Sequence, residues 1–251
     1  MIDDWRQKWQ AGTHGLVRGD ALSFGFVQLA AWVVNGPSSA NIALTRWYMT
    51  AAQNTVPNSR MPNVFMASAY DLGDSKSPFG SVHPRYKQEV GMRLARAGLA
   101  VAYGKSTYTG PVPIFASGAG TSDTVQVTFE HCGAGGIVVD QYNVSTTVQQ
   151  QPNWTGKHAF EICVLPPCDP ASLDNSTWVG ASAAVSAGAQ AMAGTCSVTL
   201  KLPDDIAYRH ASPTAVRFAW RAYPCEHLGC GVYSKVEQLP PPPFFLKITP
   251  S

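Results

Sequence analysis

No apolar run in this 251-residue chain approaches the ~20 residues that a membrane-spanning helix needs. Charge is also scarce: 14% of residues are charged and the net charge is +2, so nothing points to nucleic acid or an anionic membrane surface as a partner. The opening, Met1-Ile2-Asp3-Asp4-Trp5-Arg6, is polar and lacks the apolar centre of a signal peptide. Cysteine is missing from the whole first half, and no Cys-x2-Cys pair occurs anywhere, which argues against a structural zinc site. No serine stands in a Gly-x-Ser-x-Gly elbow, so the chain does not announce a nucleophile. Gly19-Asp20-Ala21-Leu22 imitates a GDSL block but puts alanine where the hydroxyl would be.

What the chain does have is concentrated in its second half. Six cysteines stand at 132, 163, 168, 196, 225 and 230. The spacing Cys-x4-Cys at Cys163/Cys168 and at Cys225/Cys230 favours two local disulfides, leaving Cys132 and Cys196 for a third by elimination among fifteen connectivities. Three sequons, at Asn143, Asn153 and Asn175, share that half. Paired cysteines with sequons indicate an oxidising compartment, lysosomal or secreted. Such a composition without a signal peptide implies that Met1 is an internal methionine and that the chain is a fragment of a longer protein.

The first hundred residues read as α/β. Trp5 and Trp9 lie four apart on a helix over residues 1–13, and His14 to Phe24 reads as a loop. Phe24 to Val34 is a buried strand in which Gln28 finds backbone partners, and Asn41 to Asn54 is helical, capped by Ser38 or Ser39. A second buried strand, Val64 to Tyr70, empties into Asp71-Leu72-Gly73-Asp74. His83-Pro84 follows nine residues later, with Pro84 at the first helical position and an apolar stripe at Val90, Leu94, Ala97 and Val101 running to Tyr103-Gly104.

Gly110-Pro111-Val112-Pro113 marks the best boundary, dividing the chain into 1–109 and 110–251. Beyond it, short β-rich runs at Val125–Phe129, Gly136–Val139, Ala159–Val164, Cys196–Leu202 and Ala215–Trp220 favour an antiparallel, sandwich-like module. Gly180 to Gly194 is small and flexible in composition, favouring strand and loop. The run Pro240-Pro241-Pro242-Pro243 is read as packing on the module's own surface rather than as a recognition ligand, before a last strand from Phe244 to Ile248.

Strand, acidic loop, histidine and helix is how a three-layer α/β hydrolase offers a general base at the carboxyl edge of its sheet. A lone histidine ahead of a helix is more often an ordinary surface residue, and aspartates are common in loops. The motif gains weight from a resemblance. Asp71-Leu72-Gly73-Asp74, Ser77-Pro78-Phe79-Gly80-Ser81-Val82-His83-Pro84-Arg85, Lys87-Gln88, Arg93-Leu94 and Tyr103-Gly104 resemble the histidine block of the animal-type sialate O-acetylesterases, which belong to the SGNH/GDSL-like esterases. Val216-Arg217-Phe218-Ala219-Trp220, Pro224-Cys225-Glu226, Cys230 and Leu239-Pro240-Pro241-Pro242-Pro243-Phe244 extend the likeness.

The resemblance implies the C-terminal part of an SGNH three-layer α/β/α domain followed by the β-rich module. It implies hydrolysis of O-acetyl groups on sialic acids or related acetylated glycans, with no cofactor or metal. His83 would be the base, and the serine and oxyanion donors would come from a missing N-terminal half of the same enzyme. The family's Asp-x-x-His pattern fails here, because Gly80 stands at the acid's offset. Asp74 first, Asp71 second, or a backbone carbonyl is left to orient His83, with Asp71 the more structural of the two acids. The competing function is a non-catalytic, glycan-binding or structural β module carrying a vestigial esterase remnant.

Overall fold

Phe24–Gln28 (β1) and Val64–Ser68 (β2) pair in parallel, in a register that places Phe24 beside Val64 and Gln28 beside Ser68. These strands belong to a computed structural model that describes residues 1–33, 38–105, 109–118, 123–140, 158–172, 176–186, 194–204 and 213–250. The helix Lys87–Tyr103 (α3) lies on the pair and ends at Gly104, whose left-handed φ of 60° closes the last turn. Phe65 is wedged between Gly25 and Gly98: a Cβ on Gly25 would fall 2.3 Å from its ring, and one on Gly98 3.2 Å away. Two glycines thus admit one aromatic side chain between strand and helix.

Two further helices complete this part. Ile2–Gly12 (α1) leaves Trp5 and Trp9 largely exposed and buries Arg6, whose guanidinium donates to the carbonyls of Leu22 (3.1 Å) and Pro62 (2.8 Å). Ser38–Tyr48 (α2) begins earlier and ends sooner than its periodicity suggested; the capping side chains lie outside the described residues. Its Trp47 packs on Trp220 and Phe245 of the second part rather than on the parallel strands.

The second part corrects the expectation of a sandwich. Val112–Gly118 (β3), Thr124–Glu130 (β4), Phe160–Cys163 (β6), Trp178–Val185 (β7), Thr195–Lys201 (β8), Ala215–Phe218 (β9) and Phe244–Pro250 (β11) form a closed barrel in the order β11-β3-β4-β8-β7-β6-β9. Closure depends on the last strand, which runs antiparallel to β9 (Phe244 beside Phe218) and parallel to β3 (Ile248 beside Ala116). A closed sheet has no free edge. Ile137–Val139 (β5) and Val232–Ser234 (β10) pair separately.

Along β4 the alternation puts Val125, Val127 and Phe129 into the barrel core, where Val198, Leu200 and Ile162 meet them. Phe218 stacks on Phe244 with ring centroids 5.5 Å apart. The proline run is buried, and the Pro241 carbonyl accepts the Tyr70 hydroxyl at 2.7 Å. All three disulfides join the pairs that spacing and elimination gave: Cys163–Cys168, Cys225–Cys230 and Cys132–Cys196. Among the described residues no helix is long and apolar enough to cross a membrane. The three sequon asparagines lie outside them.

Candidate functional site

Parallel strands deliver their loops to one edge, where α/β proteins place their ligands. Here the loops that follow β1 and β2 meet, since the Val33 N–H donates to the Ser81 hydroxyl oxygen at 2.7 Å. His83 sits on that edge with its side chain exposed. Its main chain is fixed from both sides: its N–H donates to Gly80 O at 2.9 Å and its carbonyl accepts the Ser77 hydroxyl at 2.7 Å. Gly80 takes φ +86°, a left-handed value that suits glycine in the turn before the histidine. Pro84 stands three residues before the helix rather than in its first turn, because residues 84–86 are irregular, with a bend at Arg85.

The two aspartates go to different arginines. Asp74, only 3% exposed, receives the Arg85 guanidinium at Oδ2 (2.8 Å) and Oδ1 (2.9 Å), and the Arg85 N–H also donates to Oδ2 (3.1 Å). That hydrogen bonding holds the Asp74 carboxyl below the ordinary carboxylate range, against the opposing effect of burial. The expected pairing of Asp74 with His83 is not among the described hydrogen bonds. Asp74 instead grips the residue two beyond the histidine and so closes the loop that carries it.

Asp71 is fully buried and meets Arg93 of α3 through two bonds, 2.6 and 2.8 Å long; Arg93 also reaches Ser68 O. Burial disfavours charge on Arg93, but Asp71 outweighs it and holds the guanidinium's pKa above normal. The Asp71 carbonyl accepts the Leu228 N–H at 2.8 Å, and burial, with the Asp71 charge second, drives the nearby Tyr233 phenol well up. Asp71 therefore ties strand, helix and barrel together. Gln28 is buried as well, donating to Arg46 O (3.0 Å) and accepting the Ser68 hydroxyl (2.9 Å), which turns it away from any site.

One triplet contradicts the reading that no serine stands in a nucleophile block of the Gly-x-Ser-x-Gly or Gly-Asp-Ser kind. Gly73-Asp74-Ser75 spells the Gly-Asp-Ser order of a GDS-type nucleophile block and stands on the same loop as His83. The Tyr223 phenol lies against this loop, 2.7 Å from where a Cβ on Gly73 would stand, and donates to Glu226 Oε2 at 2.6 Å. Burial, and then Glu226, raises the Tyr223 pKa far above that of a free phenol. A cavity of about 680 Å³ lies elsewhere: β2, α3, His131 and the proline run line it, and His83 does not. Among the described residues no cluster of acids, histidines and cysteines has the makings of a metal site.

This architecture, a strand–loop–helix edge beside a closed barrel, recurs in a solved structure. A crystal structure of a carbohydrate acetylesterase from Xanthomonas citri superposes with a TM-score of 0.61 at 22% identity, covering 96% of this chain and 43% of that one. Residues 134–248 match the family described as the sialate O-acetylesterase C-terminal domain. The sialate O-acetylesterases of Mus musculus and Homo sapiens are 36% and 34% identical to it over 99% of the chain. Residues 134–248 therefore carry that C-terminal domain, and the chain as a whole matches the C-terminal part of the sialate O-acetylesterases, spanning about 40% of the length of those relatives.

Proposed function

We propose that the chain is the histidine-bearing part of an esterase that removes O-acetyl groups from sialic acids or closely related acetylated glycans. The observation that carries this reading is the identity to sialate O-acetylesterases over 99% of the chain, the His83 loop included. His83, exposed at the carboxyl edge of a parallel pair, takes the proton from a serine hydroxyl as it attacks the acetyl carbonyl. It then returns that proton to the departing sugar oxygen.

Asp74 serves this histidine by fixing Arg85 and hence the loop's shape. The imidazole itself is oriented by a main-chain carbonyl or by a group outside the chain. The nucleophile and the oxyanion donors are supplied by the part of the enzyme that this chain does not span. Residues 1–109 then form the later portion of an SGNH α/β/α domain and 110–251 the module that supports it. Three disulfides suit a secreted or lysosomal location.

The test is hydrolysis of an O-acetylated sialic acid by the enzyme that contains this chain. His83→Ala should lower kcat by about 10²–10⁴, the usual contribution of a general base, while the fold is retained. A His83→Ala enzyme with more than a tenth of the parent rate would place the base elsewhere and favour a glycan-binding role for this chain. Covalent labelling of Ser75 by a fluorophosphonate would show instead that the nucleophile lies within the 251 residues.

A further inference from the structure

The loop that carries His83 is held chiefly by the second part of the molecule. Beyond the His83 carbonyl and amide, both ends of residues 71–86 rest on one segment that follows barrel strand β9, Tyr223 to Tyr233, which the Cys225–Cys230 bridge folds on itself. At the entry to the loop Gly73 lies so close that a Cβ would stand 2.2 Å from the Cys225 carbonyl oxygen and 2.7 Å from the Tyr223 hydroxyl. The Leu228 N–H donates to Asp71 O at 2.8 Å. At the exit His227 stacks on Tyr86 with centroids 3.8 Å apart and brings Nε2 to 3.5 Å from Glu89 Oε1. Leu228 fills the space between these two ends, packing with Leu72, Tyr86 and Val90.

Four residues in six, from Tyr223 to Leu228, thus reach the loop at four points on both sides of His83. The bridge that closes the segment needs no partner in the loop. We propose that the Cys225–Cys230 segment is the positioning element for His83, with Tyr223 and His227 as its positioning residues. This deepens the function proposed above and rests on it for the role of His83, although the clamp itself can be tested without activity. A barrel of otherwise structural purpose would in this way set the geometry of the catalytic edge. A displacement of about 1 Å at such an edge is enough to cost roughly 10²-fold in rate.

The test uses amide hydrogen exchange on the full chain, comparing peptides from residues 71–86 with peptides from β4 and β8. Cys225→Ala/Cys230→Ala and, separately, Gly73→Ala should speed exchange in 71–86 at least tenfold and leave β4 and β8 unchanged. Tyr223→Phe removes a single hydroxyl and should give a smaller rise of the same pattern; it carries the test if the bridge-free chain does not fold. In the enzyme containing this chain, the same variants should lower kcat while KM holds.

Unchanged exchange in 71–86 across folded variants would overturn the clamp. Faster exchange with unchanged kcat, in an enzyme that His83→Ala inactivates, would overturn the positioning role. If His83→Ala leaves activity intact, it is the functional reading that fails, and the exchange result still decides the clamp.

Discussion

The barrel and the parallel pair solve the same problem in opposite ways. Seven barrel strands close on one another and leave no ladder unpaired, and one covalent link spans 64 residues within them. The α/β part has two strands, partly exposed along β1, and its stability comes from elsewhere. Its partners are in the barrel segments: Arg46 reaches Arg221 O and Ala222 O, Asn54 exchanges two hydrogen bonds with the Phe245 main chain, and Tyr70 reaches Pro241 O. The lesson is that the part proposed to carry the chemistry leans on the other through buried polar contacts.

The sharpest way to break that comparison is at Arg46. It is fully buried with no acid beside it, and its guanidinium satisfies four carbonyls: Leu29, Ala30, Arg221 and Ala222, each at 2.6–2.7 Å. Burial lowers its pKa to about 9, which still leaves it charged at neutral pH. Arg46→Met leaves those carbonyls unpaired and should cost about 4 kcal/mol, read by urea denaturation, because each stranded buried acceptor costs about 1–3 kcal/mol. The loss should appear first as exchange in β1 and β2, before the barrel strands open.

The barrel's counterpart is Cys132–Cys196. Closing a loop of 64 residues should contribute about 4 kcal/mol, against about 2 for either bridge with a separation of five. Paired alanine variants compared by melting should therefore rank Cys132/Cys196 well above Cys163/Cys168. A reversed ranking would mean that the barrel is held by its core alone.

Asp71→Asn should be next in effect. It leaves the buried Arg93 guanidinium without its countercharge and should cost about 3 kcal/mol, with the loss centred on α3 and β2. Smallest is the acid response of the loop. Asp74 has its folded pKa below the unfolded value of about 3.9, so its contribution is complete above roughly pH 5 and falls away as pH drops through the folded value. Exchange in 71–86 should rise below about pH 4 while β4 and β8 stay protected. Asp74→Asn should abolish that acid step.

What the chain reveals before folding follows periodicity closely and topology poorly. The runs at Val125–Phe129, Cys196–Leu202 and Ala215–Trp220 became β4, β8 and β9 because alternation and β-branching suit strands in any sheet. Strand β3 went unrecognised because Pro113 sits in it, and the ladder shifts register between Pro113 and Phe115 to accommodate that residue. The strand read from Gly180 on is the greater part of Trp178–Val185, but its small residues carry too little pattern to mark the start at Trp178. Barrel closure rests on the parallel contact of β11 with β3, between residues more than 130 apart, and no local signal encodes it.

At the site, the strand–loop–histidine–helix order was legible, as were the cysteine pairs. The partners of Asp74 and the clamp from Tyr223 to Tyr233 were not. Both depend on which of several nearby arginines and aromatics the fold brings to one loop, which spacing does not determine. The left-handed turn at Gly80 and the close approach at Gly73 are written as single glycines, and a glycine alone does not say what will press against it.

The central claim is that the barrel holds the histidine edge in working order, and one comparison tests it most directly. In the enzyme that contains this chain, turnover of an O-acetylated sialic acid is measured for Gly73→Ala beside His83→Ala, with exchange in 71–86 followed on the same samples. The account predicts that His83→Ala loses about 10²-fold or more in kcat with normal protection of the loop. Gly73→Ala should lose at least tenfold in kcat together with that protection. A Gly73→Ala enzyme that deprotects the loop yet turns over at the parent rate would contradict it.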